Sequence, residues 1–211
     1  MKKSGILVLF FVVSALLSAH GQDKVGGPCE GCEAIYENTV SFEKLPSLLK
    51  MPDVTWEGKK PLGINGIVYK ADGKTPAAGV ILYVYHTDQT GHYPKKGNET
   101  GWGKRHGYIR GWVRTDEKGA YKFVTLRPAP YPNANEPAHI HITVKEPDLN
   151  EYYIDEFLFD NDPLLTTEKR RKLENRGGSG IVRLKDVGNM SKGERNIYLG
   201  RNIPNYPVKK E

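Results

Sequence analysis

The stretch RGWVRTDEKGAYKFV, residues 110–124, contains two short apolar-and-polar runs separated by a turn. Residues 111–115 and 120–124 each follow the period of two that places successive side chains on opposite faces of a strand. Residues 116–119 begin with aspartate and end with glycine, a composition typical of a tight turn. The stretch therefore predicts two consecutive β-strands joined by a short connection.

The same pattern recurs on both sides of this stretch. Only residues 166–175 in the body of the chain are typical of a helix, and a short helical candidate at residues 42–49 precedes the first strand. Short strands divided by turn residues predict an all-β fold, and a two-sheet sandwich is the architecture they favour. The further strand candidates are residues 63–69, 79–85, 140–145, 153–159, 181–184 and 196–199.

The first 21 residues are expected to form a signal peptide. Lys2 and Lys3 precede an apolar run at residues 6–17, and small residues follow the run at a point suited to cleavage. The run is too short for a spanning helix, and no later segment could cross a membrane. An uncleaved N-terminal anchor is the alternative. The expectation is a mature chain without a membrane span that is secreted or periplasmic.

Three segments are expected after the signal peptide: an N-terminal arm (22–58), a β-sandwich domain (59–207) and a polar tail (208–211). The arm contains Cys29 and Cys32, for which a disulfide is expected outside the cytosol. A zinc site would need a second cysteine pair, and a redox pair would need a βαβ context. The formal net charge of +6 is spread along the chain without a basic stripe, so no nucleic-acid binding is expected.

Two histidines mark a candidate metal site. His139 and His141 are separated by one residue in a predicted strand, so their side chains face the same side with Cα atoms about 6.5 Å apart. Two imidazoles at that distance can converge on one ion, although the pair alone is a weak signal. The loop between the second and third strands, residues 87–110, is long enough to suggest a functional role.

Two tyrosines strengthen this hypothesis. Tyr131 lies between two prolines just before the histidine strand, and Tyr93 lies in the long loop. A phenol has a pKa of about 10 and loses its proton near neutral pH only beside a strongly acidic cation. Ferric iron suits such a site better than zinc or magnesium. The alternative is that both tyrosines only pack, since the chain has 12 of them.

Several segments, in the same order, resemble the intradiol ring-cleavage dioxygenase family from about residue 62 to residue 207. The long helical N-terminal domain of the catechol-type members is missing, so the chain is more similar to a protocatechuate-type subunit or a small secreted member. The matching segments are residues 83–93 (first tyrosine), 110–123 (the R-G-x-x-x-T-D-x-x-G-x-Y-x-F run), 130–132 and 137–141 (second tyrosine and two histidines) and 157–164 (a later strand).

The resemblance implies a transthyretin-like β-sandwich with long active-site loops that holds non-haem Fe(III). The implied ligands are Tyr93, Tyr131, His139 and His141. The implied substrates are O2 and a small aromatic diol, which is cleaved between its two hydroxyl-bearing carbons to give a muconate-type diacid. Tyr131 is the ligand expected to be displaced by substrate and to accept a substrate proton. Association into homo-oligomers is a further expectation.

Two carboxylates depart from the family pattern. Glu136 occupies the position of an arginine and Glu156 that of a glutamine, and in most members both groups help to stabilise charge on the ring. A carboxylate beside an anionic catecholate would repel it. Three interpretations follow: Arg105, Arg110 or Arg114 neutralises Glu136; the substrate suits a carboxylate; or the fold keeps iron with little ring-cleaving activity.

Three other interpretations remain open on the residues alone. His86 and Asp88, with one of the strand histidines, would make a two-histidine, one-carboxylate Fe(II) site. A secreted sandwich could also be a non-catalytic binding or accessory module. A zinc hydrolase would combine the strand histidines with His86, His92 or His106. The ring substituents of the substrate and the turnover rate are not determined by the sequence.

Overall fold

Two β-sheets face each other across a common core, which confirms the predicted all-β sandwich. The computed structural model describes residues 24–51 and 58–207; the predicted signal peptide (1–21) and polar tail (208–211) lie outside them. The elements are β1 (Leu48–Lys50), β2 (Pro61–Tyr69), β3 (Ile81–Tyr85), α1 (Gly103–His106), β4 (Arg110–Arg114), β5 (Ala120–Leu126), β6 (His139–Lys145), β7 (Tyr152–Tyr153), β8 (Phe157–Phe159), α2 (Thr167–Lys172), β9 (Ile181–Val182), β10 (Lys185–Val187), β11 (Met190–Glu194) and β12 (Ile197–Tyr198), with 3₁₀ turns at Cys32–Tyr36 and Phe42–Lys44.

Each sheet is mixed. The first sheet has the order β1-β5-β2-β11-β10, and β12 also pairs with β2. The second sheet has the order β4-β3-β6-β8-β9, and β7 also pairs with β6. In the second sheet β3 runs antiparallel to both β4 and β6, which places the candidate histidine strand beside the strand that leads into the long loop.

The quoted stretch joins the two sheets. β4 belongs to the second sheet and β5 to the first, so the turn between them crosses the sandwich. The Asp116 carboxylate accepts hydrogen bonds from the backbone N–H groups of Lys118 (2.9 Å) and Ala120 (2.8 Å). Gly119 has a φ of 69°, and a Cβ there would lie 2.6 Å from the carbonyl oxygen of Val68. The turn therefore needs its aspartate and its glycine.

The core between the sheets contains alternate residues of the facing strands, as the period of two requires. Phe123 of the first sheet and Phe157 of the second meet edge to face with ring centroids 5.4 Å apart. The other strands contribute mostly aliphatic side chains, which leaves the opposite faces of the same strands available for other tasks. Buried core residues include Leu62, Ile64, Val68, Leu82, Val84, Val113, Tyr121, Ile140, Ile142, Val144, Phe159 and Val182.

The N-terminal arm packs on the outer face of the second sheet. Ala34 and Ile35 are completely buried against Ile81 and Tyr83 of β3. The indole N–H of Trp112 donates a hydrogen bond to the carbonyl oxygen of Ile35 at 2.8 Å. The disulfide expected between Cys29 and Cys32 is present. The described part of the arm is therefore bound closely to the sandwich.

The prediction of a helix at residues 42–49 is wrong. This segment has a single 3₁₀ turn at Phe42–Lys44, and β1 then pairs in parallel with β5. Pro46 explains the difference, because the residue before a proline is held in extended conformation, and Leu45 has φ −67° and ψ 138°. Helical spacing of apolar residues was outweighed by this proline.

The second half of the chain agrees with most predicted elements. The helix expected at residues 166–175 is confirmed as the shorter α2, whose N-cap Thr166 accepts a hydrogen bond from the Lys169 N–H at 3.3 Å. The antiparallel pair β10–β11 was not predicted, because its residues are mostly polar. Within the described residues, no helix has the length and apolar character needed to span a membrane.

Candidate metal centre

The two histidines lie on the outer face of the second sheet. His139 and His141 alternate with the core residues Ile140 and Ile142 along β6, as the period of two predicts. Opposite His141, across the β3–β6 ladder, lies Tyr85. The histidine pair therefore stands on a rigid strand in the middle of the sheet, next to β3 and β8.

The two tyrosines come from loops that are bound to each other. The loop after β3 carries Tyr93 and the loop after β5 carries Tyr131. The backbone N–H of Ala129 donates to the carbonyl oxygen of Asp88 at 2.9 Å. Gly91 has a φ of 82°, and a Cβ there would lie 2.1 Å from a carbonyl oxygen of the second loop. Only glycine allows the loops to approach so closely, and this approach sets the separation of the tyrosines.

Four donor atoms converge at the end of β6. The Nε2 atom of His141 lies 2.8 Å from the Tyr93 hydroxyl and 3.1 Å from the Tyr131 hydroxyl. The Nε2 atom of His139 lies 3.1 Å from that of His141 and 3.3 Å from the Tyr131 hydroxyl. The hydroxyl groups of Tyr93 and Tyr131 are hydrogen-bonded to each other. The four predicted metal ligands are thus brought together.

The surroundings fix the orientation of both imidazoles, and the surroundings of His139 leave a lone pair toward this cluster. The Nδ1 atom of His139 lies 2.8 Å from the carbonyl oxygen of Pro137, so it carries the proton and leaves Nε2 unprotonated. The Nδ1 atom of His141 faces a carboxylate oxygen of Glu156 at 3.6 Å. Such contacts are typical of metal-bound histidines, whose other nitrogen meets a carbonyl or a carboxylate.

The chemistry of the donor set fits a strongly acidic cation. Burial, reinforced by the neighbouring phenol, raises the pKa of Tyr93 far above its usual value, and burial raises the pKa of Tyr131. Burial and the proximity of His141 lower the pKa of His139. The protein by itself therefore keeps these three groups uncharged. The unprotonated Nε2 atom of His139 and the neighbouring phenol oxygens carry lone pairs that a cation among the four donors would bind.

The alternative metal sites are not assembled. His86 is buried, with its ring nitrogens 2.7 Å from the Thr125 hydroxyl and 2.6 Å from a backbone carbonyl. His106 is bound to the hydroxyl of Tyr83 at 2.8 Å. Over residues 24–51 and 58–207, no three histidine, cysteine or carboxylate side chains are grouped as a metal site would require. Any centre here depends on the tyrosines.

The interpretation that an arginine neutralises Glu136 is wrong. Arg105 pairs with Glu30, and Arg110 pairs with Glu37 at 2.6 Å. The third candidate, Arg114, lies beside Gly79, where a Cβ would be 3.1 Å from its guanidinium. The Glu136 side chain is exposed to solvent, close enough to the site for its charge to act on Tyr131 and His139.

Glu156 directly faces one of the candidate ligands, His141. Burial alone would raise the pKa of its carboxyl group, but the contact with His141 outweighs burial and lowers the pKa to about 2. Glu156 is therefore ionised at neutral pH. At 3.6 Å from Nδ1 the contact is an electrostatic one, longer than a good hydrogen bond.

One residue of the site was missed. The Tyr85 ring stacks on His141 with centroids 4.5 Å apart, and on its other side stacks His106 at 3.8 Å. The available signal was strand alternation, because Tyr83 and Tyr85 share the face that meets the histidines. Trp102 in turn stacks on His106 with ring centroids 5.4 Å apart.

The chain is similar to known dioxygenases. The family model described as Dioxygenase matches residues 36–176. Catechol 1,2-dioxygenase 1 of Acinetobacter lwoffii is 30% identical over 128 residues, 52% of this chain and 39% of that protein. The protocatechuate 3,4-dioxygenase beta chain of Burkholderia cepacia is 28% identical over 116 residues, 50% of this chain and 49% of that one. The matched region thus spans less than half the length of each relative.

A solved structure shows the same fold. The dioxygenase domain of a dioxygenase carbohydrate-binding protein fusion from Streptomyces sp. SirexAA-E aligns with a TM-score of 0.54 at 21% identity. The alignment covers 74% of this chain and 87% of that domain. It extends the likeness beyond the segments that match in sequence.

Proposed function

Because the chain belongs to the intradiol ring-cleavage dioxygenase family, we propose that it is a non-haem Fe(III) enzyme that opens a catechol-type ring. The bond broken is the one between the two hydroxyl-bearing carbons. Both atoms of O2 enter the product, a muconate-type diacid. The observation that supports the proposal best is the convergence of two phenol oxygens and two imidazole Nε2 atoms.

Tyr93, Tyr131, His139 and His141 would hold the iron. When bound, ferric iron would supply a Lewis acid and a template for the two oxygens of the diol. The residues around it have separable tasks. Pro137 and Glu156 orient the two imidazoles, and the contact between the two tyrosine loops fixes the distance between the phenols.

Tyr131 is the proposed proton acceptor. Its hydroxyl contacts Tyr93, His139 and His141, and its side chain is only partly buried, so a diol arriving from solvent can reach it. Its raised pKa means that the phenolate is a strong base once the residue leaves the cation. It can therefore take up a diol proton at Oη. The carboxylates of Glu136 and Glu156 add negative charge nearby, which favours the protonated phenol.

The same two carboxylates support a second candidate, an iron-binding module with weak turnover. An anionic catecholate would lie near Glu156, which is ionised, and Glu136, which has no ion pair among the described residues. The two candidates differ in one measurement, O2 uptake by the ferric protein with catechol. A protein that binds catechol at iron without O2 uptake would be the module.

The location outside the cytosol is also a proposal. The Cys29–Cys32 disulfide supports it, since such bonds persist in oxidising compartments. The measurement is the N-terminal sequence of the protein purified from the extracellular or periplasmic fraction.

The iron model is tested by colour. We expect the iron-loaded protein to show the visible absorption of phenolate bound to Fe(III). Tyr131→Phe should weaken or shift this band, because one of the two phenol donors is lost. Tyr36→Phe is the matched control, since Tyr36 is exposed and its hydroxyl contacts Glu151, away from the site. A colourless iron-loaded wild type would rule out the ferric tyrosinate centre.

A further inference from the structure

A cavity of about 270 Å³ adjoins the candidate metal centre and shares His141 with it. Its volume is just below the ~300 Å³ at which ligand pockets begin, so it suits one small substituted ring or part of one. The sandwich supplies one wall, from Tyr85, Thr143 and Glu156. The opposite wall comes from the N-terminal arm, residues 28–31.

The arm wall is held firmly in place. The disulfide between Cys29 and Cys32 closes a short loop, and the Thr143 hydroxyl contacts the Cys32 sulfur at 3.8 Å. Gly31 has a φ of 83°, and a Cβ there would lie 3.1 Å from the His106 Nε2 atom. The loop thus packs directly on the α1 region. A fixed wall gives a pocket a defined shape before any ligand arrives.

The cavity is acidic. Its lining contains two carboxylates, Glu30 and Glu156, and among the described residues no lysine or arginine lines it. Arg105 binds Glu30 from outside the lining. Arg176 lies over the Tyr153 ring at 3.6 Å, and its Nη2 atom donates to two backbone carbonyls, so it is not turned into the cavity. A charged group entering the cavity would meet Glu156, which has no lysine or arginine partner among the described residues, and Glu30, whose charge is shared with Arg105.

We propose that this cavity receives the ring substituent of the diol and selects a cationic substituent over an anionic one. This inference rests on the proposed function and adds the substrate class, a catechol with an aminoalkyl side chain. The ammonium group would be attracted by Glu30 and Glu156, whereas a ring carboxylate would be repelled by both. An unsubstituted catechol would lie between the two. Repulsion of the wrong charge is as effective a source of specificity as attraction of the right one.

The test is an anaerobic spectral titration of the full ferric protein with three ligands: 4-(2-aminoethyl)catechol, catechol and protocatechuate. The expected affinities fall in that order. The first and last should differ by at least about tenfold, since a difference of 1.4 kcal/mol is tenfold and two unit charges a few ångströms apart near a surface interact by more than this. The difference should shrink at high salt because part of the field is solvent-exposed.

Two variants and one control assign the effect to the cavity. Glu30→Gln and Glu156→Gln should each weaken the aminoethyl ligand, strengthen protocatechuate and leave catechol less affected. Glu33→Gln makes the same charge change on the same arm, but Glu33 is exposed and outside the cavity. The order of the three ligand affinities and the ratios between them should therefore be the same in this variant as in the wild type. Iron content is measured for each variant. If Glu156→Gln retains less iron than the wild type, the ligand affinities are compared for Glu30→Gln only.

The outcomes separate the two proposals. If catechol itself causes no spectral shift, the proposed function fails. If catechol binds and the three affinities are equal, or protocatechuate binds most tightly, this inference is overturned while the proposed function stands. Equal effects of Glu30→Gln and Glu33→Gln would also overturn it, because the selection would then come from overall charge.

Discussion

The outer face of the second sheet has two halves with opposite characters. One half, here the sealed half, consists of Ile81, Tyr83 and Trp112 under the arm residues Ala34 and Ile35. The other, here the open half, consists of Tyr85, His139 and His141 with the two loop tyrosines. Both halves use strand β3, so that strand alone does not decide the difference. The cover does.

In the sealed half the polar groups have partners outside any metal site. The Trp112 indole N–H donates to Ile35, the Tyr83 hydroxyl meets His106, and Arg110 pairs with Glu37. In the open half the polar atoms face one another, and two of them are imidazole Nε2 atoms. A sheet face whose polar groups are all hydrogen-bonded or ion-paired to other parts of the protein has a structural role. A sheet face whose lone-pair donors contact only one another can bind a cation.

The largest expected effect is on iron retention. His141→Ala should lower the affinity for iron by at least about 100-fold, because changes even to groups that only support a metal ligand cost 10–100-fold. The measurement is iron content after dialysis against a weak chelator. His92→Ala is the matched control, since His92 is exposed in the long loop and contacts Thr90. Equal iron in wild type and His141→Ala would show that the open half is not a metal centre.

The open half could be predicted from the sequence in large part. His139 and His141 follow from strand alternation, and their combination with Tyr93 and Tyr131 follows from the order of family segments. The loop contact at Gly91, which sets the distance between the phenols, leaves no local pattern. The family pattern itself directed attention to Glu136, yet only the structure shows that its three candidate arginines lie elsewhere.

The sealed half was much less predictable. Contacts such as Ile35 with Tyr83 and Cys32 with Thr143 join residues far apart in sequence, and short-range periodicity does not encode them. The arm was expected to be an appendage because its sequence has little regular structure. Its apolar residues are few, but Ala34 and Ile35 are completely buried on the sheet face. Burial of isolated positions in an irregular segment is the kind of feature that requires coordinates.

A smaller effect, on stability, tests whether the arm seals its half. Ile35→Ala should lower the free energy of unfolding by about 3 kcal/mol, because a fully buried isoleucine loses its transfer free energy and leaves a cavity. Chemical denaturation of the iron-free protein measures this. Val40→Ala, on the same arm with 45% of its side chain exposed, should change the value by less than about 0.5 kcal/mol. Equal effects would mean that the arm does not pack as a cover.

The smallest effect concerns pH and the boundary between the halves. Burial, together with the nearby charges of His141 and Arg110, lowers the pKa of His106 to about 4. Below about pH 6.5 this histidine binds a proton in the unfolded state but not in the folded state. The stability that depends on the neutral folded histidine is therefore complete above pH 6.5 and is lost as the pH falls toward 4. We expect a loss of at most about 3 kcal/mol from this residue, since its pKa falls from 6.5 to about 4 and one pKa unit corresponds to 1.36 kcal/mol.

His106→Gln isolates that contribution. Glutamine cannot take up the proton but can still bind the Tyr83 hydroxyl, so the variant should show a flatter dependence of unfolding free energy on pH between 6.5 and 4. His92→Gln, which changes an exposed histidine, should reproduce the wild-type profile. If His106→Gln keeps the full slope, His106 is not the proton-linked group, and the slope comes from another buried histidine such as His86, whose pKa burial also lowers to about 4.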